Sequence, residues 1–180
     1  MSDKELTPEE LARVNEEMHD KAGVEMKQLS KEELEKEVIS FLDKKQAVCL
    51  GTCGADGAPR ISVTDYVNDG LTIYIYTEGG KKLDNLRENK QVALGLGNSG
   101  RTWRSVRGVN IQGIADVFTD DDPEYEVGMK LFKPVFEAIE KELGVKIDFP
   151  KGMRRIIRVT PTKMVYYHNA KGISNVHWEA

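Results

Sequence analysis

Apolar residues recur along this chain with two periods, and the switch between them divides it into segments. Leu11, Val14 and Met18 recur at helical spacing behind Thr7-Pro8-Glu9-Glu10. That run sets a threonine at the N-cap, a proline at the first helical position and a glutamate able to reach back, the pattern of a capping box. Gly23 weakens any continuation, so residues 1–29 read as an N-terminal helical extension, docked on the domain or on a partner subunit. A second capping box, Ser30-Lys31-Glu32-Glu33, starts a helix reaching Lys45, with Leu34, Val38, Phe41 and Leu42 on its apolar face.

From Gln46 the period drops to two. QAVCLGTC suits a buried strand, GADGAP is turn chemistry, and RISVTDYV alternates strictly. Along that last run Arg60, Ser62, Thr64 and Tyr66 share one face, while Ile61, Val63 and Val67 share the other with Asp65. A polar face opposite an apolar one marks a half-buried strand. Asn68-Asp69-Gly70 turns into LTIYIYT, which makes three antiparallel strands in succession rather than a β-α-β unit. Lys81 to Asn89 is helix-like, and QVALGLG gives a fourth strand. VRGVNIQGIADVF gives a fifth, with Val109, Ile111, Gly113, Ala115 and Val117 on one face. Asp122-Pro123 opens a helix in which Val127, Leu131, Val135 and Ile139 repeat up to Leu143. Pro134 is expected to bend or break that helix and Gly144 to end it. MRRIIRVTPTKMVYYHN supplies a sixth strand ahead of a short aromatic tail. The sum is a mainly β domain over residues 30–180, a six-stranded antiparallel barrel with flanking helices, in which closure removes exposed edges.

Composition narrows the function classes. The 180 residues carry a net charge of −4, with 39% hydrophobic and 31% charged positions. That balance suits one soluble domain and argues against a protein that coats nucleic acid. No apolar run approaches the ~18 residues of a membrane span, and the acidic N-terminus lacks the apolar core of a secretion signal. The expectation is a cytoplasmic protein with neither membrane nor nucleic acid as partner. Cys49 and Cys53 are too few for a zinc site and are expected as small buried thiols sharing one strand face. His19, His168 and His177 are scattered, so no metal site is expected.

One stretch carries candidate chemistry. TEGGKK, residues 77–82, joins a strand end to a helix start. It is no Walker A loop, because Ile75 stands where that motif needs its first glycine and Lys82 where it needs Ser or Thr. Nor does it match the GxGxxG of a parallel dinucleotide fold. A hydroxyl, two ammonium groups and free backbone N–H groups nevertheless suit a phosphate dianion. Taken alone the stretch reads as an ordinary glycine turn with solvated lysines; Arg60 joins it only if the register cooperates. RTWRSVR, residues 101–107, is a second basic patch, either a structural loop or an anion pocket.

The series AVCLGTCGADGAPRISVTDYVNDGLTIYIYTEGGKKLDNLRENKQVALGL followed by VNIQGIADV resembles the pyridoxamine 5'-phosphate oxidase-like family of flavin-binding split barrels. The likeness covers roughly residues 36 to 167. It implies a homodimer with flavin mononucleotide (FMN) in two clefts at the subunit interface. By the same resemblance, Arg60 and Lys82 hold the flavin phosphate, with Lys81 as neighbour. Ile61, Ser62 and Val63 lie along the ring, and Tyr76 and Thr77 lie near the ribityl chain. Gln112 approaches the ring from the second subunit, whereas Asn85 packs the short helix. The tail GISNVHWEA lacks the arginine-rich substrate motif of true vitamin B6 oxidases, so that reaction is not expected. Trp178 either covers the flavin, seals the dimer or packs on its own domain. The function implied is FMN-dependent oxidoreduction of a small substrate. The alternatives are a non-catalytic flavin- or haem-binding carrier or sensor, with His168 or His177 as axial ligand, and a deazaflavin-dependent reductase.

Overall fold

Both predicted capping boxes form in the computed structural model, which describes residues 6–98, 100–148 and 150–180. Thr7 caps α1 (Pro8–Lys21) and Ser30 caps α2 (Lys31–Leu42), each accepting the backbone N–H of a glutamate that returns the bond to the cap. Eight strands follow in place of the six expected. β1 (Ala47–Cys53) and β2 (Pro59–Asp65) form one hairpin, and β3 (Val67–Asp69) and β4 (Thr72–Thr77) a second. After α3 (Lys81–Glu88) come β5 (Gln91–Gly97), β6 (Arg107–Phe118), α4 (Pro123–Leu143), β7 (Arg155–His168) and β8 (Ile173–Glu179). The extra strands arise because Tyr66 interrupts the RISVTDYV run and because the aromatic tail pairs with β7.

The order β2-β1-β5-β6-β7-β4-β3 is antiparallel throughout, and β8 adds to β7. It curls into a barrel that stays split, because β2 and β3 follow one another in sequence yet stand at opposite ends of the order and share no ladder. α2 fills one side of the core with Leu34, Val38, Phe41 and Leu42 against Leu50, Ile75, Ile111, Ile157 and Tyr166. A smaller cluster of Tyr74, Tyr125, Phe132 and Ile156 seals α4 to the outer side of β4 and β7. Gly128 permits that approach, since a Cβ there would meet Ile156 Cγ2 at 2.6 Å. α4 runs through Pro134 without a break. Pro134 and Lys130, whose carbonyl loses its helical partner, both stand at exposed positions. The buried side of α4 is Tyr125, Gly128 and Phe132; Val127 is exposed. No helix among the described residues is long and apolar enough to cross a membrane.

β2 departs most from the expected pattern. Its apolar face points outward, leaving Ile61 and Val63 exposed at 71% and 74%. Paired residues of neighbouring strands point to the same side of a sheet, and Ile61 pairs with Gly51, Val63 with Cys49. The inward positions of β1 are Val48, Leu50 and Thr52, so β2 turns Arg60, Ser62 and Thr64 toward the split. Cys49 is therefore exposed rather than buried, and Cys53 is half-buried.

Two arginines of the basic patch, Arg104 and Arg107, are spent on structure. Arg107 lies over Phe41 at 4.4 Å, donates to the Tyr166 hydroxyl at 2.8 Å and faces Glu37. Arg104 bonds the Ala22 carbonyl, and Trp103 meets the buried His19 ring edge-on at 4.8 Å. These contacts dock the C-terminal end of α1 on its own domain, while Leu11, Val14 and Met18 stay exposed.

Candidate functional site

The TEGGKK turn and β2 meet across the split. Thr77 continues the inward alternation of Ile73 and Ile75, and only 5% of it is exposed. Its hydroxyl lies between the Gly79 N–H (3.3 Å) and the Gly79 carbonyl (3.1 Å), which pins the turn. Gly80 has φ of 101°, a conformation that side chains resist, and α3 begins on it without any side-chain cap. Lys82 folds back and donates to the Gly79 carbonyl at 2.9 Å, whereas Lys81 turns outward to Asp84 at 3.9 Å.

Arg60 reaches the same place from the other edge. Burial lowers the Lys82 pKa and the neighbouring Arg60 charge lowers it further, against an opposing pull from Glu78. Two cations held together raise each other's energy, and an incoming dianion relieves that repulsion. Affinity for a phosphate ester should therefore plateau. It should fall below about pH 6, where the phosphate takes its second proton. It should fall again as rising pH deprotonates Lys82, sooner than for an ordinary lysine; titrating the ester over a pH series checks both limbs.

Behind the turn, Asn85 and Thr52 are both buried and bond each other at 3.1 Å, clamping α3 to β1. A Cβ at Gly54 would meet Asn85 Oδ1 at 3.0 Å, and Glu88 accepts the Ala55 N–H at 2.8 Å. Asn85 thus packs its helix as expected. Thr52 escaped the sequence reading, because a threonine in an apolar strand carries no signal of its distant partner.

The outward face of the sheet supplies a shelf. Ladder registers align Ile61, Gly51, Ala93, Gln112 and Lys163 in one row, with Val63, Cys49, Gly95, Asn110 and Val165 in the next. Glycine and alanine at the centre hollow the face into two adjoining depressions of about 530 and 580 Å³, which share Gly51, Ile61, Ala93 and Gln112. Arg60 borders the second. Gln112 and Ile61 thus share this shelf, while Ser62 faces the split. Tyr76 points away from Thr77, packing edge-on against Phe136 at 4.9 Å. Trp178 turns from the shelf to α2, donating to Glu35 at 2.7 Å beneath the Lys31 ammonium. His177 borders the first depression; His168 is half-buried, its pKa lowered by burial and by Arg107 and Lys171. Among the described residues no group of three or more His, Cys, Asp or Glu is placed to hold a metal ion.

The sequence model for pyridoxamine 5'-phosphate oxidase matches residues 34–168. The chain belongs to that family. Solved structures share the fold of this pyridoxamine 5'-phosphate oxidase family member at low identity. The haem storage protein of Vibrio cholerae is 17% identical with a TM-score of 0.61, over 77% of this chain and 98% of that one. A protein from Clostridium acetobutylicum related to general stress protein 26, of the pyridoxinephosphate oxidase family, gives 18% and 0.60 over 84% and 96%. A FAD-binding protein of Mesorhizobium loti gives 16% and 0.56 over 72% and 88%. No curated sequence matches the chain. These likenesses concern the fold, and relatives with different ligands share it.

Proposed function

We propose that the chain is a cytoplasmic, homodimeric FMN-dependent oxidoreductase acting on a small substrate. The observation that supports this most directly is the convergence of Arg60 and Lys82 over the buried Thr77 turn. Among the described residues Arg60 forms no ion pair, and Lys82 bonds only a carbonyl, so both charges remain available to a phosphate. The residues fit FMN in a second respect: Ile61 and Val63 give an apolar ledge for a flat ring, beside a backbone stripped of bulk at Gly51 and Ala93. That ledge lies open in one chain, which favours a second copy covering it; exposed apolar area of this kind marks an interaction surface.

In this reading Arg60 and Lys82 hold the phosphate, Thr77 and Gly80 fix the turn that presents Lys82, and β2 supports the ring. Gln112 orients polar groups at the ring edge of the partner's site. When bound, the flavin itself supplies two-electron transfer, and no side-chain nucleophile is required. Purified protein, or protein titrated with FMN, should show the absorption bands of oxidised flavin, bleached by dithionite. A Soret band instead, or failure to take up FMN, would overturn the assignment.

A further inference from the structure

A further cavity, apart from the two depressions of the shelf, lies on the outer side of β4. It encloses about 220 Å³ between β4, the end of β2 and α4, and its wall includes Thr64, Asp65, Tyr76, Glu78, Phe132 and Phe136. Three aromatic rings meet there. Tyr76 stands 4.9 Å from Phe136 and 6.1 Å from Phe132, and the two phenylalanines are 5.9 Å apart. Two carboxylates, Asp65 and Glu78, are exposed at its edge. Glu78 acts on the Lys82 ammonium and hydrogen-bonds the Tyr76 phenol, whereas Asp65 forms no ion pair among the described residues. Of the nearby cations, Lys82 donates to the Gly79 carbonyl and Arg60 sits beside it. Arg154 lies close to Tyr76 without lining the cavity. Burial, then the Glu78 charge and the hydrogen bond with Glu78, raise the Tyr76 pKa, so its phenol stays neutral and its ring remains an aromatic wall.

Electron-rich ring faces flanked by carboxylates attract positive charge and repel anions. The volume is below that of drug-sized pockets, which restricts the occupant to a few heavy atoms. We infer that this cavity binds a small organic ammonium ion, held by the rings of Tyr76 and Phe136 and the charges of Asp65 and Glu78. The inference does not rest on the flavin assignment, although Glu78 belongs to the same turn as Lys82 and acts on its charge.

Calorimetric titration of the full chain compares choline with 3,3-dimethylbutan-1-ol, which replaces the charged nitrogen by carbon at nearly the same shape. Choline should bind about 10-fold more tightly than the alcohol, the ratio expected of a cation between rings and carboxylates. The isosteric double variant Asp65→Asn/Glu78→Gln should lose that advantage while its affinity for the alcohol is unchanged. Arg60→Ala/Lys82→Ala should not weaken choline. Equal affinity for the two probes, no choline binding at tens of millimolar, or an insensitive double variant would each overturn the assignment. Flavin absorbance of the same samples reports the FMN reading separately.

Discussion

Replacing Arg60 and Lys82 together by alanine should weaken FMN binding about 100-fold or more and leave riboflavin binding within about threefold. The estimate takes the low end of roughly 1.5–3 kcal/mol for each charge-assisted contact, because Arg60 is exposed and water screens it. Riboflavin is the control because it lacks only the phosphate, so any loss it shares with FMN reports damage to the ring shelf or the fold. Equal losses for the two ligands, or none, would remove the phosphate from this turn. Lys81→Ala belongs in the same series. Its ammonium is turned to Asp84, so its removal should cost FMN far less than removal of Lys82.

Truncating Phe41 to alanine should destabilise the fold by about 3–5 kcal/mol, the range for a buried aromatic. Phe41 is 1% exposed, packs against Tyr166 at 6.1 Å and carries the Arg107 guanidinium on its face. Its loss leaves a cavity between α2 and the barrel and removes the surface over which Arg107 is held. Urea unfolding followed by circular dichroism should show a large fall in the midpoint with little change in slope. A midpoint near that of the parent chain would mean that α2 is not the plug of this core.

These expectations draw on two kinds of information. The elements were legible in the sequence because their causes are local. Thr7 and Ser30 form their capping boxes from residues three apart, and alternation sets the strands wherever a turn residue does not intervene. The order of motifs around Arg60 and Lys82 was enough to indicate the family. Pro134 does not break α4, and both it and Lys130 stand at exposed positions, where the loss of one backbone bond costs least.

Alternation determines which side chains share a face of a strand, but not which face is covered. β2 displays its apolar face because β1 has already turned Val48 and Leu50 inward and because β2 ends the sheet. That single choice exposes Ile61, Val63 and Cys49 and brings Arg60 to Lys82 across the split. It was decided by long-range pairing, which no local window contains. The same holds for Arg104 and Arg107, whose partners Ala22, Phe41 and Tyr166 lie far away in the chain. Local patterning is enough to establish the elements and the types of residue available for a phosphate site. Tertiary structure decided which of them meet, because contacts between distant residues depend on the packing of the whole barrel.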